Sequence, residues 1–376
     1  MITNFIVSLY NLIVFCCIKK EKKEFVFFSE SKYYRNYYKD LITNLKLKKQ
    51  KNIILITQDI EDINYFKDSI DCYLIKNYFL LSILFKIISC KFFILTLTDI
   101  GNHLQKSKNC RYYVYYFHAL SSTHMIYTAT AFKNYDIIFT NGLYQKKELK
   151  FCETNLNFEK KEIINTGYFF LDYLSKKANL NVCEKNCIIF TPSWNYNNEN
   201  LFDNYAVQII KILIEKNFKL ILRPHPEHYK RSNKTLLKIN KLYGRNKNFI
   251  LDKNTSNLKS LEKASLLLTD NSSIVFEFLL IFKRPVMYIN YREKIHNINL
   301  KKIPIISLEE KFKKLFGKEL DIHEIKKLGI ECKKLLKEKS VSEERIISFI
   351  NDNLSNFGNS SNFAANYLIK KSSSIL

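Results

Sequence analysis

Short apolar runs recur along the chain, separated by amphipathic stretches. Glu24–Ser29 (EFVFFS), Asn52–Thr57 (NIILIT), Asp71–Ile75, Phe92–Thr96 (FFILT), Tyr112–Phe117 and Asp136–Thr140 (DIIFT) read as strands, with helices over Tyr34–Leu45 and Phe79–Ser89. A second series begins near Asn186. It has strands at Cys187–Thr191, Phe218–Leu222, Phe249–Leu251, Leu266–Thr269 and Pro285–Ile289, and helices at Asn204–Lys216, Leu258–Ala264 and Ser272–Ile281. Continuous apolar runs of this length, alternating with helices, mark strands buried on both faces of a parallel sheet. The pattern predicts an α/β chain with two Rossmann-like domains facing each other across a cleft.

The polar stretch Ser175–Lys185 separates the two series. The expected organisation is an N-terminal segment 1–23, a first domain 24–180, a second domain 181–350 and a tail 351–376. Leu308–Asn351 reads as helical and charged. Ser355–Leu376, rich in Ser and Asn, reads as a loose tail.

Residues 1–18 are mostly apolar and are followed by Lys19, Lys20, Lys22 and Lys23. A secretory signal carries its basic residues before the apolar run, so this is not one. The run is short for a membrane span. At helical spacing Ile2, Phe5, Ile6, Leu9, Leu12, Ile13 and Cys16 share a face. That suits a helix lying in a membrane interface with lysines at lipid phosphates. The competing reading is a helix packed on the protein's own core.

Composition narrows the class. Hydrophobic residues make up 47% of the 376, enough for large cores, and Gly (7) and Pro (5) are too scarce for propellers or collagen-like repeats. The net charge of +24 points to a membrane surface, a polyanionic substrate or nucleic acid, or to a lysine-rich coding bias. Zinc-finger spacing, a basic zipper and an aromatic RNA-binding signature are all missing, so nucleic acid is not an expected partner. Nine cysteines, without CxxC spacing, suit free thiols in a reducing compartment. The sequence has no HExxH, no Walker A lysine and no GxGxxG, and neither a metal nor a cofactor is expected.

Ligands of open parallel sheets sit beyond the carboxyl ends of the strands. In the second series, Phe218–Leu222 is followed by Arg223, Pro224, His225 and Pro226. The prolines fix the backbone beside a histidine that can donate to phosphate or exchange protons, and Arg223 can clamp phosphate. The bland alternative is a surface turn. After Leu266–Thr269 come Asp270, Asn271, Ser272 and Ser273, small polar residues at a helix start that suit either an anion site or a simple cap. Glu277 lies one turn on, as a ribose contact or a surface carboxylate. At the end of Cys187–Thr191, Thr191 with Ser193 and the sole tryptophan, Trp194, forms a donor-contact turn or a packing turn. In the first series His118 ends Tyr112–Phe117, and Ser121 and Ser122 follow as caps or as acceptor-phosphate contacts.

These segments, in this order, resemble the CDP-glycerol glycerophosphotransferase family. The matching stretches are FTPSW (Phe190–Trp194), RPHP (Arg223–Pro226) and the run Leu266–Ile289 with its TDNSS segment. FHALSS (Phe117–Ser122) sits where that family has a His-Gly-Thr segment, with Ala119 in place of the glycine. Asn271 stands where the family has an aromatic residue. The resemblance implies a GT-B fold, with His118 as the base toward the acceptor and His225, Ser272 and Ser273 on the donor pyrophosphate. The implied reaction moves a glycerol-phosphate or related alditol-phosphate unit from a CDP-activated donor to a surface-polysaccharide or lipid-linked acceptor, releasing CMP. The implied location is peripheral, on the cytoplasmic face of a bacterial inner membrane. Two other readings remain: a nucleotide-sugar glycosyltransferase of capsule or lipooligosaccharide assembly, and a non-catalytic membrane-bound scaffold.

Overall fold

The apolar runs become strands because every residue in them loses its water on both sides. In the computed structural model, which describes residues 2–128, 130–156, 158–194, 199–292, 297, 303–338 and 341–374, β1 (Phe25–Ser29) and β2 (Ile53–Thr57) are buried along their whole length. The first sheet continues with β3 (Asp71–Leu74), β4 (Phe92–Leu95), β5 (Tyr112–Tyr116), β6 (Ile137–Thr140) and β7 (Glu162–Asn165). All seven are parallel, in the order β3-β2-β1-β4-β5-β6-β7. Alternation along β1 sends Phe25 and Phe27 toward Leu41 and Leu45 of helix Lys39–Leu47. It sends Phe28 against Phe85 of helix Tyr78–Ile87, with ring centroids 5.2 Å apart.

The second sheet holds β8 (Cys187–Phe190), β9 (Lys219–Leu222), β10 (Phe249–Leu251), β11 (Leu266–Thr269), β12 (Val286–Asn290) and β13 (Gly317–Asp321). It too is parallel, in the order β10-β9-β8-β11-β12-β13. Strand order reverses between β1 and β4 in one sheet and between β8 and β11 in the other. These are the points where parallel sheets open a crevice beyond the strand ends.

The chain forms two units by its contacts. One is Met1–Leu120, Tyr127–Tyr173 and Asn353–Leu376; the other is Ser121–Ile126 and Leu174–Asp352. The last segment corrects the expected loose tail. Ser360–Ser373 is a helix whose Ala364, Ala365 and Leu368 are fully buried in the core of the first sheet. Asp172 accepts from the backbone N–H of Gly358 (2.7 Å) and Ser360 (2.6 Å) at its start, and Tyr367 donates to Glu162 at 2.6 Å. The Ser and Asn content that suggested disorder lies largely outside the buried Ala364–Leu368 contact.

Helix Ile2–Cys17 divides the face read as apolar between the core and the surface. Ser8, Leu12 and Phe15 are the buried residues, and Asn11 donates to Leu74 O at 3.1 Å. Ser8 Oγ accepts from the N–H of Lys76 and Asn77. Phe5, Ile6, Leu9 and Ile13, from the face read as apolar, point outward. Among the described residues no helix is long and apolar enough to cross a membrane.

Further differences sit at strand edges and helix ends. β7 and β13 were not expected; β13, GKELD, lies inside the stretch read as helical. Tyr34–Leu45 divides into a 3-10 turn at Lys32–Tyr37 and the helix Lys39–Leu47. The helix expected at Ser272–Ile281 is α only over Ile274–Glu277 and widens to a π turn at Phe278–Phe282.

Candidate active site

Three strand ends of the second sheet meet through specific bonds. β8 and β11 are neighbours, so Ser193 and Asp270 emerge side by side. Asp270, buried, accepts from Ser193 N–H and from Ser193 Oγ, both at 2.7 Å. One carboxylate therefore fixes both the backbone and the hydroxyl of the turn after β8. Thr191 is buried beneath it, its hydroxyl 3.5 Å from Leu268 O, and Thr269 Oγ donates to Thr191 O at 2.6 Å.

β9 adds the histidines. Pro224 and Pro226 hold His225 extended at the start of the short helix Pro226–Arg231, where its Nδ1 accepts from Glu227 N–H at 3.2 Å. A neutral imidazole that accepts at Nδ1 carries its proton on Nε2, so the His225 ring has its N–H donor at Nε2. The His225 ring stacks on Trp194, with centroids 6.3 Å apart and planes at 21°. Arg231 lies over the other part of this cluster, 5.2 Å from the Trp194 ring. His228, a residue to which the sequence assigns no strand-end position, is fully buried behind the turn. Its Nε2 lies 3.3 Å from Ser193 O and its Nδ1 3.2 Å from Ser232 Oγ, which in turn donates to Asp203 at 2.7 Å. Burial holds its pKa below the usual histidine value, against the pull of Asp203.

Arg223 departs from the phosphate-clamp expectation. Its guanidinium meets Asp252 at 2.5 Å and also donates to the carbonyls of Asn254 (3.0 Å) and Thr255 (3.2 Å). Burial opposes ionisation of Asp252, but the Ser260 hydroxyl and the charge of Arg223 outweigh it and keep the carboxyl below its ordinary range. Arg223 thus shapes the 252–256 loop. Glu277 is buried, not a surface carboxylate, and accepts from Asn257 Nδ2 at 3.0 Å. Ser272 and Ser273 are partly exposed at the end of β11, and neither hydroxyl has a protein partner among the described residues.

Ser121 and Ser122 are both buried, and Ser122 is tied down. Its N–H donates to the Glu309 carboxylate (3.1 and 3.2 Å), and its hydroxyl accepts from Leu308 N–H at 2.7 Å, at the start of helix Leu308–Phe316. Ser122 thus caps this helix, and its hydroxyl keeps an O–H donor while it accepts from Leu308.

His118 stands beyond β5. The β4–β5 register sets Leu95 opposite Tyr115, so the residue after β4, Thr96, lies beside the chain leading to His118. Thr96 Oγ is 2.7 Å from His118 Nδ1. Tyr34 meets the imidazole edge-on at 5.3 Å and Tyr37 at 6.2 Å, while Tyr168 donates to His118 O at 3.2 Å. Burial among these rings pushes the His118 pKa down to about 4. The 3-10 turn bearing both tyrosines is pinned through Arg35, whose Nε donates at 2.7 Å to the buried Asp62 carboxylate; Ser29 and Thr57, at the ends of β1 and β2, donate to the same group. Thr96 and Asp252, both directly after strands, were open to the strand-end rule but carry no motif. His228 had no sequence signal.

The profile of the family described as CDP-Glycerol:Poly(glycerophosphate) glycerophosphotransferase matches residues 10–296. A search of curated protein sequences finds no significant match. Among solved structures, a variant of the wall teichoic acid polymerase TagF superposes with a TM-score of 0.62 at 16% identity, over 99% of this chain and 96% of that one. Another TagF structure gives 0.60 at 15%, over 100% and 99%. A co-structure of S. aureus MnaA with UDP gives 0.60 at 12%, over 94% and 98%. At such identities the likeness speaks for the fold, two Rossmann-like units of GT-B type, while the profile speaks for descent. With that profile matched across most of its length, the chain belongs to the CDP-glycerol:poly(glycerophosphate) glycerophosphotransferase family of enzymes.

Proposed function

We propose that this chain moves a glycerol-phosphate or related alditol-phosphate unit from a CDP-activated donor to a hydroxyl of a surface-polysaccharide or lipid-linked acceptor. The acceptor oxygen forms a bond to the donor's distal phosphorus. The bond from that phosphorus to the CMP oxygen breaks, and CMP leaves with the electron pair. The acceptor proton passes to His118, which burial keeps neutral and able to receive it. The carrying observation is the convergence of strand ends in the second sheet, where Ser193, Asp270, Trp194 and His225 hold one another.

In this reading the His225 Nε2–H and the open hydroxyls of Ser272 and Ser273 donate to the pyrophosphate, stabilising charge that grows on the leaving CMP. Thr191, Asp270 and His228 act one step back, by holding the Ser193 turn. Arg223 and Glu277 set the positions of the 252–256 loop and Asn257. The acceptor end rests on His118, with Ser121 and Ser122 shaping the segment after it.

Membrane contact is part of the proposal. Helix Ile2–Cys17 presents Phe5, Ile6, Leu9, Tyr10 and Ile13 outward, and Lys19, Lys20 and Lys22 follow. An outward apolar face beside a basic cluster supports a reading of peripheral binding to an anionic leaflet on the cytoplasmic membrane face.

The test is donor binding by calorimetry with CDP-glycerol, CDP-ribitol and UDP-sugars, alongside CMP release. CDP-glycerol or CDP-ribitol should bind and release CMP. His118→Ala should retain donor affinity and lose turnover, and His225→Ala should weaken donor binding. Selective binding of a UDP-sugar would overturn the donor assignment.

A further inference from the structure

We propose that Thr96 is the positioning residue that selects the working tautomer of His118, by accepting a hydrogen bond from Nδ1–H and leaving the Nε2 lone pair for the acceptor hydroxyl. The inference rests on the reading of His118 as the base, and it adds a residue and a proton position to that reading.

Three observations carry it. Thr96 Oγ and His118 Nδ1 are 2.7 Å apart, a short and direct contact. Thr96 is 7% exposed, so solvent does not compete for this bond. Among the described residues, Nδ1 is the only ring nitrogen of His118 with a hydrogen-bond partner, which leaves Nε2 for substrate. The rest of the ring is walled by the edges of Tyr34 and Tyr37, and its backbone carbonyl is held by Tyr168.

A hydroxyl can either donate or accept, so the distance alone does not set the direction. The chemistry does. If Thr96 donated, the Nδ1 lone pair would be engaged and the proton of the neutral ring would sit on Nε2. Neither nitrogen could then take a proton from the attacking hydroxyl. If Thr96 accepts, Nδ1 holds the proton and Nε2 is free. The Thr96 hydroxyl proton then points away from the ring. His225 provides the opposite case: its Nδ1 accepts a backbone N–H, so its proton is on Nε2. The two histidines are thus set by their partners to contrary tasks, one receiving a proton and the other donating to phosphate.

The tautomer is directly observable. In protein labelled with 15N-histidine, the two ring nitrogens of a neutral imidazole differ strongly in chemical shift according to which bears the proton, and the His118 signals are those lost in His118→Ala. The expected result at neutral pH is a protonated Nδ1 and an unprotonated Nε2. Thr96→Val, which keeps the shape and removes the oxygen, should shift the ring toward a tautomer mixture. It should lower kcat by about tenfold or more, up to the ~10²–10⁴-fold that a general base supplies, with the donor KM unchanged. Thr96→Ser should restore both the spectrum and the rate. A protonated Nε2 in the wild type would overturn the inference, as would a Thr96→Val enzyme with unchanged kcat. If His118→Ala itself keeps full turnover, the base reading fails instead, and the wild-type spectrum still decides the hydrogen-bond direction.

Discussion

Asp270 offers the sharpest test of the donor site, because a single buried carboxylate holds two groups of the neighbouring turn. Replacing it with Ala removes two hydrogen bonds of 2.7 Å, from Ser193 N–H and Ser193 Oγ. Hydrogen bonds to a charged group contribute about 1.5–3 kcal/mol each, and part of that is offset by the relief of a buried charge, so the net loss should be about 2–4 kcal/mol. Asp270→Asn keeps the shape and converts both bonds to neutral ones, for a loss of about 1–2 kcal/mol. The assay has a built-in reporter. The only tryptophan of the chain, Trp194, follows Ser193 directly, so its fluorescence in a urea titration follows the second unit alone. With a denaturant slope of about 1–3 kcal/mol/M, the Ala variant should lose about 0.7–4 M from its midpoint. Donor affinity should fall in the same order, Ala before Asn. A wild-type midpoint for Asp270→Ala would refute the energetic role. A lowered midpoint with intact donor affinity would refute the claim that this turn bounds the donor.

Four other expectations follow from the structure. Because burial moves the His118 pKa down to about 4, the ring stays neutral well below the ordinary histidine value; the acid limb of kcat/KM should fall below pH 6, and a limb near pH 6.5 would contradict it. The same shift has a stability sign: the unfolded chain takes up this proton first, so the contribution of His118 is intact above about pH 6.5 and is lost as pH falls toward 4, which a series of melting curves in wild type and His118→Ala would reveal. Ile6→Glu combined with Ile13→Glu, at positions 59% and 54% exposed, should abolish sedimentation with anionic vesicles while leaving the unfolding midpoint unchanged. Leu368→Ala should destabilise the first unit by about 2–5 kcal/mol, measured by hydrogen exchange in β1, whereas a loose tail would tolerate it without change.

The fold was legible where strands are buried on both faces. Runs such as IILI, FFIL and CIIF have no amphipathic explanation and occupy the inner positions of the two sheets. β7 and β13 lie at sheet edges, where a strand pairs on one side only and water reaches the other. EIIN and GKELD accordingly carry little of the apolar signal. The terminal helix was missed for a related reason: its contact is made by Ala364 and Ala365, small residues that a polar composition conceals.

The site was legible in its positions and not in its pairings. Strand-end reasoning located Ser193, Asp270, His225 and His118 from local pattern alone. Which groups bond to which depends on register and on loops distant in sequence. Arg223 turns to Asp252, 29 residues on, and Ser122 to Leu308, 186 residues on. His228 illustrates the limit well, since its importance lies in a carbonyl 35 residues earlier in the chain.

The helix Ser360–Ser373 has a consequence for synthesis. The first unit begins with the earliest residues, yet its core is completed by Ala364, Ala365 and Leu368. The second unit ends at Asp352 and is therefore fully translated while the first still lacks its last helix. On the ribosome the unit started first is the one closed last. Until then the apolar surface around Phe25, Phe27 and Leu41 stays uncovered at the place where Leu368 will dock. A chain halted before that helix would carry a finished second unit joined to an open first one. Such a chain is a natural substrate for chaperones and for proteases that survey unfinished proteins.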